Sequence, residues 1–261
     1  MNAINNVLAI AGKELRYYFG SPIGYVVIGL FAGLFGFFYY PLLAYFLQES
    51  LQMMGMGGMA GAPAINVNQN LIQPLLVNVS IMILLALPAV TMRTYSEEKR
   101  SGTIELLLTS PLRDAEIVFG KFVASMTLYA AMLGSTLIHI GVLYAFGRPE
   151  WQPIVTGYIG LLLMGACFVA LGLFISSLTR NQIVAAMGTF AAFLMFWVIN
   201  WAAPFMGPTT QAVLNYLSII EHLDDFTRGI VDTKHVVYYL SFISFALFLT
   251  VRSVDSERWR G

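Results

Sequence analysis

The sequence predicts an all-α polytopic membrane protein with six transmembrane helices, an N-terminal interfacial helix and a short cytoplasmic helical projection. Three observations predict it. Of 261 residues, 58% are hydrophobic and 11% charged, with a mean hydropathy of +0.73, whereas an average soluble domain is about 25% charged. Six stretches are apolar over the roughly 20 residues that a helix needs to cross a bilayer. The charge is also unevenly placed: ten of the twenty-eight Asp, Glu, Lys and Arg residues fall between Arg93 and Lys121.

The first element is the N-terminal helix, expected over about 5–20. In "LAIAGKELRYYFGSP", Leu8, Ala11, Leu15 and Tyr18 or Phe19 fall on one side and Lys13, Glu14 and Arg16 elsewhere, before a stop at Gly20-Ser21-Pro22. That pattern describes a helix lying on the cytoplasmic leaflet. The basic start, apolar centre and small-residue cleavage site of a secretory signal are missing, so the segment reads as retained.

Spans follow at about 24–47, 70–91, 122–146, 154–178, 182–203 and 234–250. No linker divides them, and 1–261 reads as one transmembrane domain. Six spans put both termini on one side. With them go Lys13, Arg16, Arg93, Lys99, Arg100, Arg113, Lys121, Arg180, Arg252, Arg258 and Arg260, which are eleven of fourteen basic residues; Arg148, Arg228 and Lys234 fall opposite. By the excess of Lys and Arg in cytoplasmic loops, both termini are cytoplasmic.

Two outside connections stand out. Residues 48–69 are rich in Gly and Met with one charge. In 204–233, Val213, Leu217, Ile220, Leu223 and Ile230 recur at helical spacings, while Glu221, Asp224, Asp225 and Arg228 fall mainly on another face. Asp224 and Arg228 are spaced for a helical ion pair. One or two short amphipathic helices are expected there, after a break at Gly207-Pro208.

The charged interval needs its own account. Ser96 reads as an N-cap, with Glu97 and Glu98 at the positive helix end. Ser110-Pro111 closes the segment, and Asp114 caps the helix entering the third span. Gly102 either costs about 1 kcal/mol in a helix or permits a tight bend. A loop that merely fixes orientation needs bases; this one carries five acids beside five bases, and Ile104, Leu106, Leu107 and Leu108 as well. A mixed-charge, partly apolar projection suits protein docking.

Resemblance carries the reading further. "SEEKRSGTIELLLTSPLRDAEIVFGKF" resembles the cytoplasmic coupling-helix segment of type-2 ATP-binding-cassette permeases. "KELRYYFGSPIGYVV" resembles that family's connecting helix and entry to the first span, and "EHLDDFTRGIVD" its outside segment before the sixth. The last is closest to the gliding-motility-type and nitrous-oxide-reductase-maturation-type branches. The resemblance implies a permease with two ATPase subunits, which bind the ATP and Mg, and a second permease copy, most simply a homodimer. A periplasmic or membrane accessory protein is a further possible partner. The place implied is the bacterial cytoplasmic (inner) membrane. For coupling it points to Glu97, Glu98, Lys99, Arg100, Ser101, Gly102, Thr103 and Glu105, supported by Lys13, Glu14 and Arg16.

Other chemistry is not visible. The phosphate-loop pattern fails, because Ala115 stands where its first Gly is needed and Phe122 follows Gly120-Lys121. Lys121 reads instead as a basic anchor at the membrane surface. There is no H-E-x-x-H and no G-x-S-x-G, so no catalytic residue is assigned. Ion-coupled carriers keep ionisable groups within their spans; here only His139 lies well inside one. With Asn78 and Asn200 it is a candidate for a substrate path, against helix packing as the plainer role. Glu221, His222, Asp224 and Asp225 form a carboxylate–imidazole cluster, and Met53, Met54, Met56 and Met59 offer soft sulfur. They read as a solvated helix face and a flexible flap, so no metal is expected. Zero net charge gives no reason to expect nucleic acid. The function expected is a permease subunit driving export or mechanical work, with lipid-like, amphipathic or polymeric cargo favoured. A membrane scaffold or maturation factor using the same docking loop is the alternative.

Overall fold

The computed structural model describes residues 3–56, 66–147 and 149–258. Its elements are α1 Ala3–Gly20, α2 Pro22–Met56, α3 Gln73–Thr91, α4 Arg93–Ser101, α5 Thr103–Leu108, α6 Asp114–Phe146, α7 Trp151–Leu178, α8 Gln182–Val198, α9 Pro208–Leu217, α10 Glu221–Thr227 and α11 Thr233–Arg258. A π-helical turn, Asn68–Ile72, leads into α3, and a 3-10 turn, Ile199–Phe205, follows α8. Six helices are long and apolar enough to cross a membrane: those of α2, α3, α6, α7, α8 and α11. The protein is all-α and polytopic.

α7 is the central column. It packs on α3, α4, α6, α8, α10 and α11. Small residues allow this, because without a Cβ two backbones approach closely. A Cβ on Gly165 would stand 2.2 Å from Tyr129 Cε1, and one on Gly172 would stand 2.3 Å from Thr91 Oγ1. Tyr129, fully buried, donates from its hydroxyl to the Leu161 carbonyl at 2.6 Å. By contrast, only 17% of the spanning windows of α2 and α8 is buried, against 67% for α7. Those two helices leave most of their apolar surface outward.

Several expected elements differ. The helices overrun the spans expected at 24–47, 70–91 and 234–250, reaching Met56, Ser101 through Met92, and Arg258. The 182–203 span is α-helical only to Val198. The outside segment 48–69 is partly helical, with α2 reaching Met56 and the π turn starting at Asn68; Met59, Arg148 and Arg260 lie outside the described residues, as does the side chain of Met54.

α1 buries Ala11 and Tyr18 of the face expected of it, with Leu15 and Phe19 half-buried, but the buried face is rotated away from Leu8. Asn6, Ile10, Ala11, Glu14 and Tyr18 turn inward while Leu8 is exposed. The helix packs against α6, where a Cβ on Gly120 would stand 2.6 Å from Ile10 Cβ. In the 204–233 segment, Leu223 is buried and Ile220 half-buried as expected, but Val213, Leu217 and Ile230 are exposed and Ile219 and Phe226 are buried in their place. The break before Pro208 and the Asp224–Arg228 pair, at 2.8 Å, are present.

Candidate functional site

The charged segment is built from a junction, a helix and a turn. Ser96 is not an N-cap: α3 passes into α4 through Met92, whose backbone is helical. Pro88 lies one turn earlier and lacks the N–H a helix interior needs. Ser176 of α7 fills the junction. Its hydroxyl accepts from the Tyr95 and Ser96 backbone N–H groups at 3.1 and 3.2 Å and donates to the Met92 carbonyl at 3.0 Å. Ser96 is buried and donates its own hydroxyl to the same carbonyl.

Gly102 ends α4 with φ +75°, in the left-handed region where a Cβ is penalised. Of its two readings, the bend is the one found. α5 then runs to Leu108, and α6 begins after Arg113, not after a capping Asp114. Glu116 Oε2 accepts from the Arg113 N–H at 3.1 Å, and Asp114 instead pairs with Arg258 of α11 at 2.8 Å.

Lys121 is the largest departure from expectation. It is not a surface anchor; it is 1% exposed. Its ammonium lies 2.9 Å from Glu98 Oε2, 3.0 Å from Glu14 Oε1 and 2.7 Å from the Thr94 carbonyl oxygen, with the Tyr95 ring centroid at 5.0 Å. One buried cation therefore ties α1, α4 and the base of α6 together. Two carboxylates around one ammonium leave a negative surplus, and Lys13 approaches Glu98 at 3.4 Å from the exposed side. Tyr17 donates to Glu97 Oε1 at 3.3 Å, and Asn6 to Glu116 Oε2 at 3.0 Å. On the other flank Lys99, buried, reaches Glu257 of α11 at 2.6 Å and the Ser177 carbonyl.

The eight residues expected for coupling thus divide. Glu98 and Lys99 turn inward as internal ion pairs, and Glu97 is half-buried against Tyr17. Arg100, Ser101, Gly102, Thr103 and Glu105 are exposed at the bend, with Leu106 at 74% exposure. Of the supporting three, Glu14 is in the buried network, Lys13 is on its rim, and Arg16 is exposed. Two clefts flank the bend. One, of about 430 Å³, lies against α1 between Tyr17, Arg93 and Thr103; the other, of about 770 Å³, lies between Arg100, Glu105, Arg180 and Glu257.

Sequence reasoning missed Lys121 as a hub, yet signals were there. It is the only Lys, Arg, Asp or Glu between Ile117 and Phe146. Glu14 also continues the helical stripe of Ile10, Ala11 and Tyr18. The role of Ser176 had no comparable signal.

At the opposite end, the expected carboxylate–imidazole cluster is not one solvated face. Glu221 accepts from Asn200 Nδ2 at 2.8 Å, and Asp224 pairs with Arg228. His222 is buried and stacked on Tyr238, with centroids 3.8 Å apart. Its Nδ1 lies 2.6 Å from His235 Nδ1, its Nε2 faces the Tyr216 carbonyl at 2.9 Å, and His235 Nε2 meets Asp225 Oδ2 at 2.7 Å. Burial holds the His222 pKa below its ordinary value, helped by the neighbouring His235.

Asp225, Asp232 and His235 bring possible metal-ligand atoms within 4.8 Å of one another. Lys234 already supplies positive charge there, 3.1 Å from Asp232 and 3.8 Å from Asp225. The Asp232 carboxyl, held below the usual range by the Lys234 backbone N–H and ammonium, serves the start of α11.

The three substrate-path candidates are not brought together. His139 packs between the rings of Phe35 and Tyr39, at 5.0 and 5.4 Å, in the contact of α6 with α2. Asn78 is half-buried on α3, and Asn200 lies beyond α8 beside Glu221.

Comparison with known proteins agrees with this architecture. The chain is similar to the "Probable multidrug ABC transporter permease YbhR" of Escherichia coli K12 and to its namesake in Escherichia coli O157:H7, each 29% identical over 144 residues. That match takes in 54% of this chain and 38% of the relative, so the chain matches well under half of the curated relatives' length. A family model described as ABC-2 family transporter protein matches residues 8–252, nearly the whole chain. The chain belongs to the ABC-2 transporter family, whose members are transmembrane subunits of ATP-binding-cassette transporters and generally work with a separate ABC ATPase.

Proposed function

We propose that this chain is the permease half of an exporter. In this reading it transmits ATP hydrolysis on a separate ATPase subunit into movement of its spans across the bacterial cytoplasmic membrane. Two copies of the chain, each with its least-buried helices α2 and α8 toward the other, stand with two ATPase subunits that bind the ATP and Mg. The end carrying the termini faces the cytoplasm, as the placement of eleven of the fourteen basic residues supports.

The observation that carries this reading is the exposed Gly102 bend joined rigidly to the spans behind it. A partner pressing on Arg100, Thr103 and Glu105 moves α4, and Glu98–Lys121 passes that motion to α6 and α1. Lys99–Glu257 passes it to α11. Coupling needs such stiff connections, because packed elements shift between discrete arrangements more readily than they deform. The relative's name, a multidrug permease, and the apolar spans both favour an amphipathic organic cargo.

The test is ATP turnover by a purified cognate ABC ATPase, with and without the permease in the same lipid. A response to the permease is expected. Arg100→Glu with Glu105→Lys should abolish the response by about tenfold or more while the assembled complex still purifies. Loss of assembly alone would favour the scaffold reading, and a full response in the double variant would sink coupling through the bend.

A further inference from the structure

At the end opposite the termini a cleft of about 330 Å³ opens between α3, the α8 terminus and α10. Trp197 and Trp201 form one side, Val77 and Ile220 supply apolar lining, and Glu221 lies at the rim beside Asn200. We propose that this cleft binds an organic cation with an apolar body.

The charge decides the sign of the ligand. Glu221 has no cation partner among the described residues, whereas neighbouring Asp224 is matched by Arg228 at 2.8 Å and also accepts from Gln73 at 3.4 Å. The cleft therefore keeps one uncompensated negative charge. Its carboxylate is also held in place, since Asn200 Nδ2 donates to Oε1 at 2.8 Å. A preset carboxylate costs a ligand less ordering than a free one.

The aromatic residues decide the class. The two indoles meet edge to face, with centroids 5.7 Å apart. Aromatic faces attract cations, Trp most strongly. An ordinary interfacial tryptophan would turn its N–H to the lipid headgroups. Trp197 instead donates Nε1–H inward to Ser80 Oγ at 3.3 Å, which fixes the ring as part of a wall. A bare metal ion does not fit this set, because indole and Val77 offer no ligand atoms and, of the two lining carboxylates, Asp224 is already paired with Arg228, which leaves Glu221 alone. A volume of about 330 Å³ lies at the small end of ordinary ligand sites.

The inference rests on the export reading only in calling such a molecule cargo; binding can be measured without the ATPase. The probes are labelled tetraphenylphosphonium and tetraphenylborate, alike in size and opposite in charge, with the full chain in lipid nanodiscs and empty discs subtracted. Saturable phosphonium binding is expected, at least about tenfold tighter than borate binding. Glu221→Gln keeps an acceptor for Asn200 but removes the charge, and should erase that preference. Trp201→Ala should weaken phosphonium binding about fivefold. Equal binding of both ions, no saturable binding, or an unchanged Glu221→Gln variant would overturn the proposal and leave the tryptophans as interfacial anchors. Phosphonium binding without any ATPase-dependent transport would instead overturn the export reading and leave this one standing.

Discussion

Both ends of the bundle bury ionisable groups, and they do it with different chemistry. At the terminal end one ammonium, Lys121, lies between Glu98 and Glu14, and the contacts span residues 14 to 121. At the other end two imidazoles, His222 and His235, meet nitrogen to nitrogen and finish on Asp225. Imidazole has its ordinary pKa nearest neutrality, and burial lowers that of His222, so the second network carries a pH-dependent contribution.

Removing Lys121 should break that contrast most severely. Lys121→Ala leaves two buried carboxylates facing each other, and should lower stability by about 3–5 kcal/mol. Thermal unfolding in detergent measures it. A loss below about 1 kcal/mol would mean that the cavity is wet and the tie weak.

The imidazole pair sets a second, pH-dependent effect. Tyr216 carbonyl and Asp225 carboxylate both accept from the Nε2 atoms, and protonating both rings would set two Nδ1–H groups head-on at 2.6 Å. Because folding lowers the His222 pKa, its contribution is complete above the ordinary value of about 6.5 and is lost as pH falls from there through the folded value. The slope is at most about 1.4 kcal/mol per pH unit. The fall in melting temperature between pH 7.5 and 5.5 should be smaller in His222→Gln than in the parent chain. Identical curves would show that the rings do not govern the acid response.

A third comparison stays within the terminal end. Lys99→Met removes a tie whose acid, Glu257, is one-third exposed, so water takes over part of its role. A loss of about 1–2 kcal/mol is expected, clearly less than at Lys121. The smallest effect belongs to Asp224→Asn, an exposed helical pair whose loss should cost under about 0.5 kcal/mol. If these two ranked above Lys121, burial would not be what separates the networks.

Much of the fold was legible. Spans are written in runs of apolar residues, since lipid leaves a chain no other way to satisfy its backbone. The Asp224–Arg228 pair was readable because it depends on neighbours in sequence, whereas Gly102 allowed either a costly helix residue or a bend and the structure chose the bend. The site was half legible: composition marked 93–121 as special but could not tell Glu98, which turns in, from Arg100, which turns out. They are two residues apart on one short helix, and only α1 and α6 arriving on one side separates them.

Local pattern by itself determined which segments are long and apolar enough to cross the membrane and where the polar projection interrupts them. Only the tertiary structure decided that Lys121 is a hub rather than an anchor, that Ser96 lies inside a helix and that His222 is buried. Burial and charge pairing are properties of what arrives from elsewhere in the chain, and separations of 84 and 107 residues leave no periodicity to read.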